Sequence, residues 1–133
     1  MRPRRRDEQG SAVVDFVLVL VLLLPLVGGV MQLALVMHVR NTLASAAAEG
    51  ARYAAVLGSS PELGEAKARE QIGTAVGGRF ARGVVVRPAL VNGAPGYEAV
   101  IEAEVPALGL GGPTTSVRVT GHAVAEDVGV AAP

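Results

Sequence analysis

The sequence predicts an α+β protein with a long N-terminal helix that crosses a membrane and continues outside it, a second helix and a small antiparallel sheet of three strands. Three observations lead there. Residues 16–37 form a charge-free apolar run, and residues 38–57 keep small apolar residues at helical spacing without a proline. After Gly83 the apolar period changes from helical to two. The chain thus divides into a basic leader at 1–10, a long helix at 11–57 with its transmembrane part at about 16–37, and an outer α+β domain at 58–133.

Four arginines (Arg2, Arg4, Arg5, Arg6) against Asp7 and Glu8 give the leader a charge of +2, although the whole chain is neutral by count. The run that follows holds 22 residues, interrupted in character only by Pro25 and Gln32. At ~1.5 Å per residue this is about 33 Å of helix, enough for a hydrocarbon core of roughly 30 Å. A cleavable secretory signal is the rival reading, with Ala44-Ser45-Ala46 as a cleavage match. Its apolar region is only ~7–15 residues, so the run is too long for it. Arginines before the span and only His38 and Arg40 close behind it place the N-terminus in the cytoplasm and the C-terminal part outside.

The stretch "HVRNTLASAAAEGARYAAVL" extends the helix to about Val56, with Leu43, Ala47, Ala51 and Ala54 along one stripe and Glu49 and Arg52 one turn apart as a pair. Pro25 lacks an amide hydrogen and is expected to bend this helix, with Gly28-Gly29 a soft spot beyond it. Ser60 is an N-cap for the second helix with Pro61 at its first position, and Leu63, Ala66, Ile72, Val76 and Phe80 are its expected apolar face. "GVVVRPALV" reads as an edge strand tolerant of Pro88, and Asn92-Gly93 as a hairpin turn. In "YEAVIEAEV" an apolar face (Tyr97, Ala99, Ile101, Ala103, Val105) alternates with an acidic one. The strand "SVRVTGHAVAE" carries Arg118, a cross-strand partner for Glu102 or Glu104. The sheet is expected to pack on the Ala-rich outer half of the long helix, which has nothing else to cover it.

Composition narrows the chemistry. With no cysteine the chain has no disulfide, thiolate metal site or cysteine nucleophile. Its two histidines, His38 and His122, lie far apart in sequence and read as solvated side chains, so no catalytic or metal constellation is expected. The Gly-rich "GLGGP" lacks the lysine and following helix of a phosphate loop. Nothing pairs a basic stripe with aromatics, so no nucleic-acid partner is expected, and the chain calls for no cofactor.

Asp15 is the residue that asks for a role. At membrane depth an acid costs roughly 2.5 kcal/mol or more unless it reaches headgroup water or finds a partner. It follows Gly10 by five residues and precedes Phe16, in "GSAVVDF", and "AAAEGARYAA" follows the span at 46–55. These two motifs resemble the TadE-like family, the pseudopilins or minor pilins of the tight-adherence pilus, themselves similar to type IV prepilins. The resemblance covers residues 4–57 and departs at one point, with Asp15 where the family carries glutamate.

The resemblance implies a pilin-like fold and no enzymatic activity. It implies cleavage between Gly10 and Ser11 by a prepilin peptidase at the cytoplasmic membrane, and a pairing of Asp15, followed by the aromatic Phe16, with the new amine of Ser11 in a neighbouring subunit. It also implies packing of Ala47, Glu49, Gly50, Ala51 and Arg52 against another pilin helix, since small residues allow close approach. Partners would be the cytoplasmic membrane, the peptidase, other pilin or pseudopilin subunits and pilus assembly proteins. The outer domain would face the extracytoplasmic side, and in a pilus it would reach the cell surface. An unprocessed single-pass anchor whose outer domain binds an extracytoplasmic protein is the alternative.

Overall fold

A computed structural model of the chain describes residues 5–109 and 111–126. Arg2 and Arg4 of the basic leader, Leu110 of the Gly-rich loop and the last seven residues of the outer domain lie outside the described residues. The elements run α1 (Arg5–Ala55), α2 (Pro61–Ala75), a short 3-10 turn (Gly78–Ala81), β1 (Gly83–Val91), β2 (Ala94–Pro106), a second 3-10 turn (Ala107–Gly109) and β3 (Thr114–Val124). The architecture is of the α+β class, with one long apolar helix, a second helix and one sheet. Contacts divide the chain between Leu35 and Val36 into two compact units.

The first unit is helical from Arg5 onward, and Pro25 lies inside the helix. Its segment from Gly10 is long and apolar enough to cross a membrane, and none of that apolar window is buried by the rest of the chain.

The second unit is built around a three-stranded antiparallel meander in the order β1-β2-β3. Asn92 and Gly93 both adopt positive φ (52° and 83°), which closes the β1–β2 hairpin in two residues and matches the twist of its strands. The predicted alternation holds. Ala99, Ile101 and Val105 of β2 are buried, as are Val117, Val119 and Gly121 of β3, while Glu102 and Glu104 face out.

Cross-strand register explains how a helix fits on this face. Val84, Ile101 and Val119 stand opposite one another across the three strands, all buried. The next inward row is Val86, Ala99 and Gly121, so side-chain size falls from β1 to β3. Where it reaches nothing, α1 comes down: a Cβ at Gly121 would stand 2.4 Å from the Ala47 carbonyl carbon and 2.5 Å from the Ala48 amide nitrogen. The sheet therefore packs on the Ala-rich C-terminal half of α1, as expected, where Val39, Leu43, Ala46, Ala47 and Ala51 are buried. Glu126 donates its amide to the Ala55 carbonyl at 3.0 Å and satisfies an orphan acceptor at the helix end.

The second helix corrects one expectation. Ser60 caps it as predicted, accepting from the Leu63 amide at 3.3 Å, with Pro61 at the first position. Its buried face, however, is Gly64, Ala68 and Ile72, while Leu63 and Ala66 are exposed. Phe80 is buried but sits in the 3-10 turn, because α2 ends at Ala75 and Gly77 follows with φ 103°. The reason is distance. A Cβ at Gly64 would lie 2.5 Å from the Gly50 carbonyl oxygen, so α2 presses on α1 through its smallest residues.

Candidate functional site

The residues singled out by sequence fall into two places. Gly10, Ser11, Asp15 and Phe16 lie on α1 in the first unit, and all four are exposed. A helix brings residues four apart onto one face, so Asp15 stands one turn above Ser11. The surrounding surface is apolar, with Val13, Val14, Phe16, Val17 and Leu18 all exposed. Asp15 makes no ion pair with any residue whose side chain is described. A lone carboxylate on such a surface seeks either headgroup water or a cation from another molecule.

Ala47, Glu49, Gly50, Ala51 and Arg52 lie on the C-terminal half of α1, and the small ones among them are already occupied. Ala47 packs under Gly121, and Gly50 meets Gly64 and Ala68. Ala51 is fully buried. These residues therefore join the helix to its own sheet and to α2. Arg52 is exposed and Glu49 half-buried, and the expected pair between them does not form; Glu49 instead lines a shallow groove with Lys67, Glu70 and Gln71 of α2.

The outer face of the sheet carries a charge ladder. Arg87, Glu98 and His122 are opposite one another on β1, β2 and β3. The Arg87 Nε donates to Glu98 at 2.8 Å, and His122 Nε2 lies 3.3 Å from the other carboxylate oxygen. The Arg87 hydrogen bond above all holds the Glu98 carboxyl below its ordinary pKa, with His122 acting in the same direction. Arg118 meets Glu102 at 3.0 Å and so selects it over Glu104, as register dictates. This ladder is a wet face held by ion pairs, and among the described residues no group of three or more His, Asp or Glu side chains is placed to hold a metal ion.

Sequence reading missed the contact that seals the sheet edge. Glu65 Oε1 accepts from the Val86 amide at 3.0 Å, and Arg69 Nη2 donates to the Val84 carbonyl at 2.9 Å. The two side chains also pair with each other at 3.0 Å. Together they offer β1 one acceptor and one donor at the positions a fourth strand would use. In the sequence this is an ordinary i,i+4 helix pair, and nothing in it announces a strand edge beneath.

Residues 10–52 match the family model described as TadE-like protein. The match begins at Gly10, takes in Asp15 and Phe16, and ends within the buried small-residue stretch. No curated protein and no solved structure matches the chain.

Proposed function

We propose, with the TadE-like segment over residues 10–52 as premise, that this chain is a single-pass pseudopilin or minor pilin that acts in assembling a tight-adherence pilus or a related secretion apparatus. TadE-like sequence points to a minor-pilin-like, structural protein associated with that pilus. The finer reading concerns two positions. A prepilin peptidase cuts between Gly10 and Ser11, and the amine so made is met by Asp15 of a neighbouring copy or of another pilin.

One observation carries this reading. Asp15 is the sole acid in an exposed apolar stretch of α1, one turn above Ser11, with no cation among the described side chains to answer it. A carboxylate and an ammonium that leave water together neutralise each other, whereas either alone is costly. A basic leader ahead of the apolar run supports an orientation with Ser11 on the cytoplasmic side, where the peptidase acts, and the second unit across the membrane. The test is the mass of the protein accumulated in cells that hold the peptidase. A chain beginning at Ser11 supports the pilin reading, and one retaining residues 1–10 overturns it.

A second reading is favoured by one specific observation. Helix α1 begins at Arg5, so the Gly10–Ser11 bond lies inside it. Peptidases bind extended backbone, and a helical bond must first unwind. An uncleaved chain would be a bitopic anchor whose outer unit binds an extracytoplasmic protein. The same mass measurement separates the two.

A further inference from the structure

The second unit has two ends, and their chemistry differs. At one end Glu126 is bonded to Ala55, the last residue of α1. At the other, Thr115–Arg118 at the start of β3 lie beside Val36, Met37 and Arg40 of α1. Met37 is where the charge-free run stops, so along the chain this second end is the one that adjoins the membrane-spanning stretch. We infer that this end of the sheet docks on the anionic headgroups of the membrane that α1 crosses; the inference rests on the membrane-spanning reading of α1 but on neither its direction nor its cleavage.

Charge is sorted toward that end. Arg79 and Arg82, from the turn before β1, line one groove with Glu102, Glu104 and Arg118. Arg40 joins Arg118 in the adjoining groove. Four arginines thus face two carboxylates, one of them already paired with Arg118, which leaves a net charge of +2. The described part of the second unit holds eight basic and eight acidic residues, so the remainder of its surface carries −2. Neither Arg40 nor Arg82 has a partner among the described residues, and Arg79 lies over the Phe80 ring at 4.7 Å rather than against a carboxylate. Near an anionic bilayer each such arginine raises surface occupancy about fivefold.

The loop between β2 and β3 adds an apolar contact at the same end. It is closed by the Ala107 amide donating to the Pro113 carbonyl at 3.0 Å. Within it Leu108 is held at φ 48°, ψ 21°, a left-handed backbone that a leucine rarely adopts, and the residue is 48% exposed. An exposed leucine two residues on from Pro106, which lines the arginine-bearing groove, suits a surface that meets headgroups with charge and the acyl boundary with one apolar residue.

The chain has no cysteine, so Ser116→Cys, on an exposed residue lining both grooves, introduces a single thiol for a fluorophore. The full-length protein is placed one copy per nanodisc, in phosphatidylcholine alone or with phosphatidylglycerol, and quenching by headgroup spin labels is read. The expected result is severalfold stronger quenching with the anionic lipid, lost in high salt and reduced about fivefold or more in Arg40→Gln/Arg82→Gln. Equal quenching in both lipids, or no effect of the double substitution, overturns the proposal. So does quenching in neutral lipid that appears only with several copies per disc, which assigns the arginines to a neighbouring subunit's acids. A chain that fails to enter discs at all defeats the membrane-spanning reading and this inference with it, whereas an embedded chain without lipid dependence defeats this inference alone.

Discussion

Gly121 of β3 lies against the main chain of α1 at Ala47, closer than any side chain would permit. A methyl there would sit 2.4 Å from the Ala47 carbonyl carbon, and the obstacle is backbone rather than a side chain that can turn away. Gly121→Ala is expected to destabilise the second unit by about 1–3 kcal/mol, the usual cost of overpacking. Thermal unfolding of the detergent-solubilised protein measures it, and a melting point equal to wild type would remove the close contact from the account.

Gly64→Ala tests the other close approach, where α2 crosses α1. The new methyl would meet the Gly50 oxygen at 2.5 Å and the Ala54 Cβ at 2.9 Å. Alanine is the better helix former by about 1 kcal/mol, so propensity alone predicts a gain. The structure predicts a loss of stability instead, and the sign of the change in melting point decides between them.

Glu65→Ala removes the acceptor for the Val86 amide and the partner of Arg69 together. A part-buried donor left unsatisfied costs about 1–3 kcal/mol. The edge of β1 also becomes free to pair with another chain. Lower stability is therefore expected alongside concentration-dependent association, seen by light scattering. Lower stability with no association would mean that the edge is guarded by something other than this pair.

The ladder on the outer face makes a prediction in pH. The folded-state pKa of Glu98 is depressed, chiefly by Arg87, below the ordinary 4.5. A depressed carboxyl pKa contributes stability above the unfolded value and loses it as pH falls through the folded one. The stability gap between wild type and Arg87→Gln should accordingly be flat at neutral pH and narrow once the pH drops below about 4.5. Unfolding curves between pH 3 and 7 check this, and a gap that persists unchanged at the acid end would exclude it.

Asp15 admits a graded test of the proposed pairing. Asp15→Asn keeps the size and abolishes the charge, and it should allow membrane insertion while impairing assembly. Asp15→Glu keeps the charge and adds one methylene of reach, and assembly should match or exceed wild type. Surface-pilus yield in cells carrying each variant reads the outcome. Equal yields across all three would leave the carboxylate a merely interfacial residue.

Much of this molecule is legible in its sequence because its devices are local. Asn92-Gly93, Ser60-Pro61 and the alternation of residues 97–105 each depend on neighbours a few positions away, and each appears where expected. The buried face of α2 was not legible, because hydrophobicity ranks Leu63 above Gly64 while the fold selects whatever lets two helices touch. The Glu65–Arg69 clamp was hidden for a related reason: its targets, the Val84 carbonyl and Val86 amide, are backbone groups found fifteen to twenty-one residues on. The proposed site at Gly10, Ser11 and Asp15 rests on spacing, since the charge proposed to answer Asp15 belongs to another molecule.

The seam between the two units falls at Leu35 and Val36, within a helix rather than in a loop. An engineer who cut at Gly58, within the first loop, would strip the sheet of Val39, Leu43 and Ala47 and leave its inner face without a floor. The smallest exchangeable module therefore carries its own twenty residues of helix, from Val36 to Ala55. A graft of this head onto a foreign anchor should be spliced in helical phase, turn for turn, and a soluble version should begin near Val36 rather than at the loop.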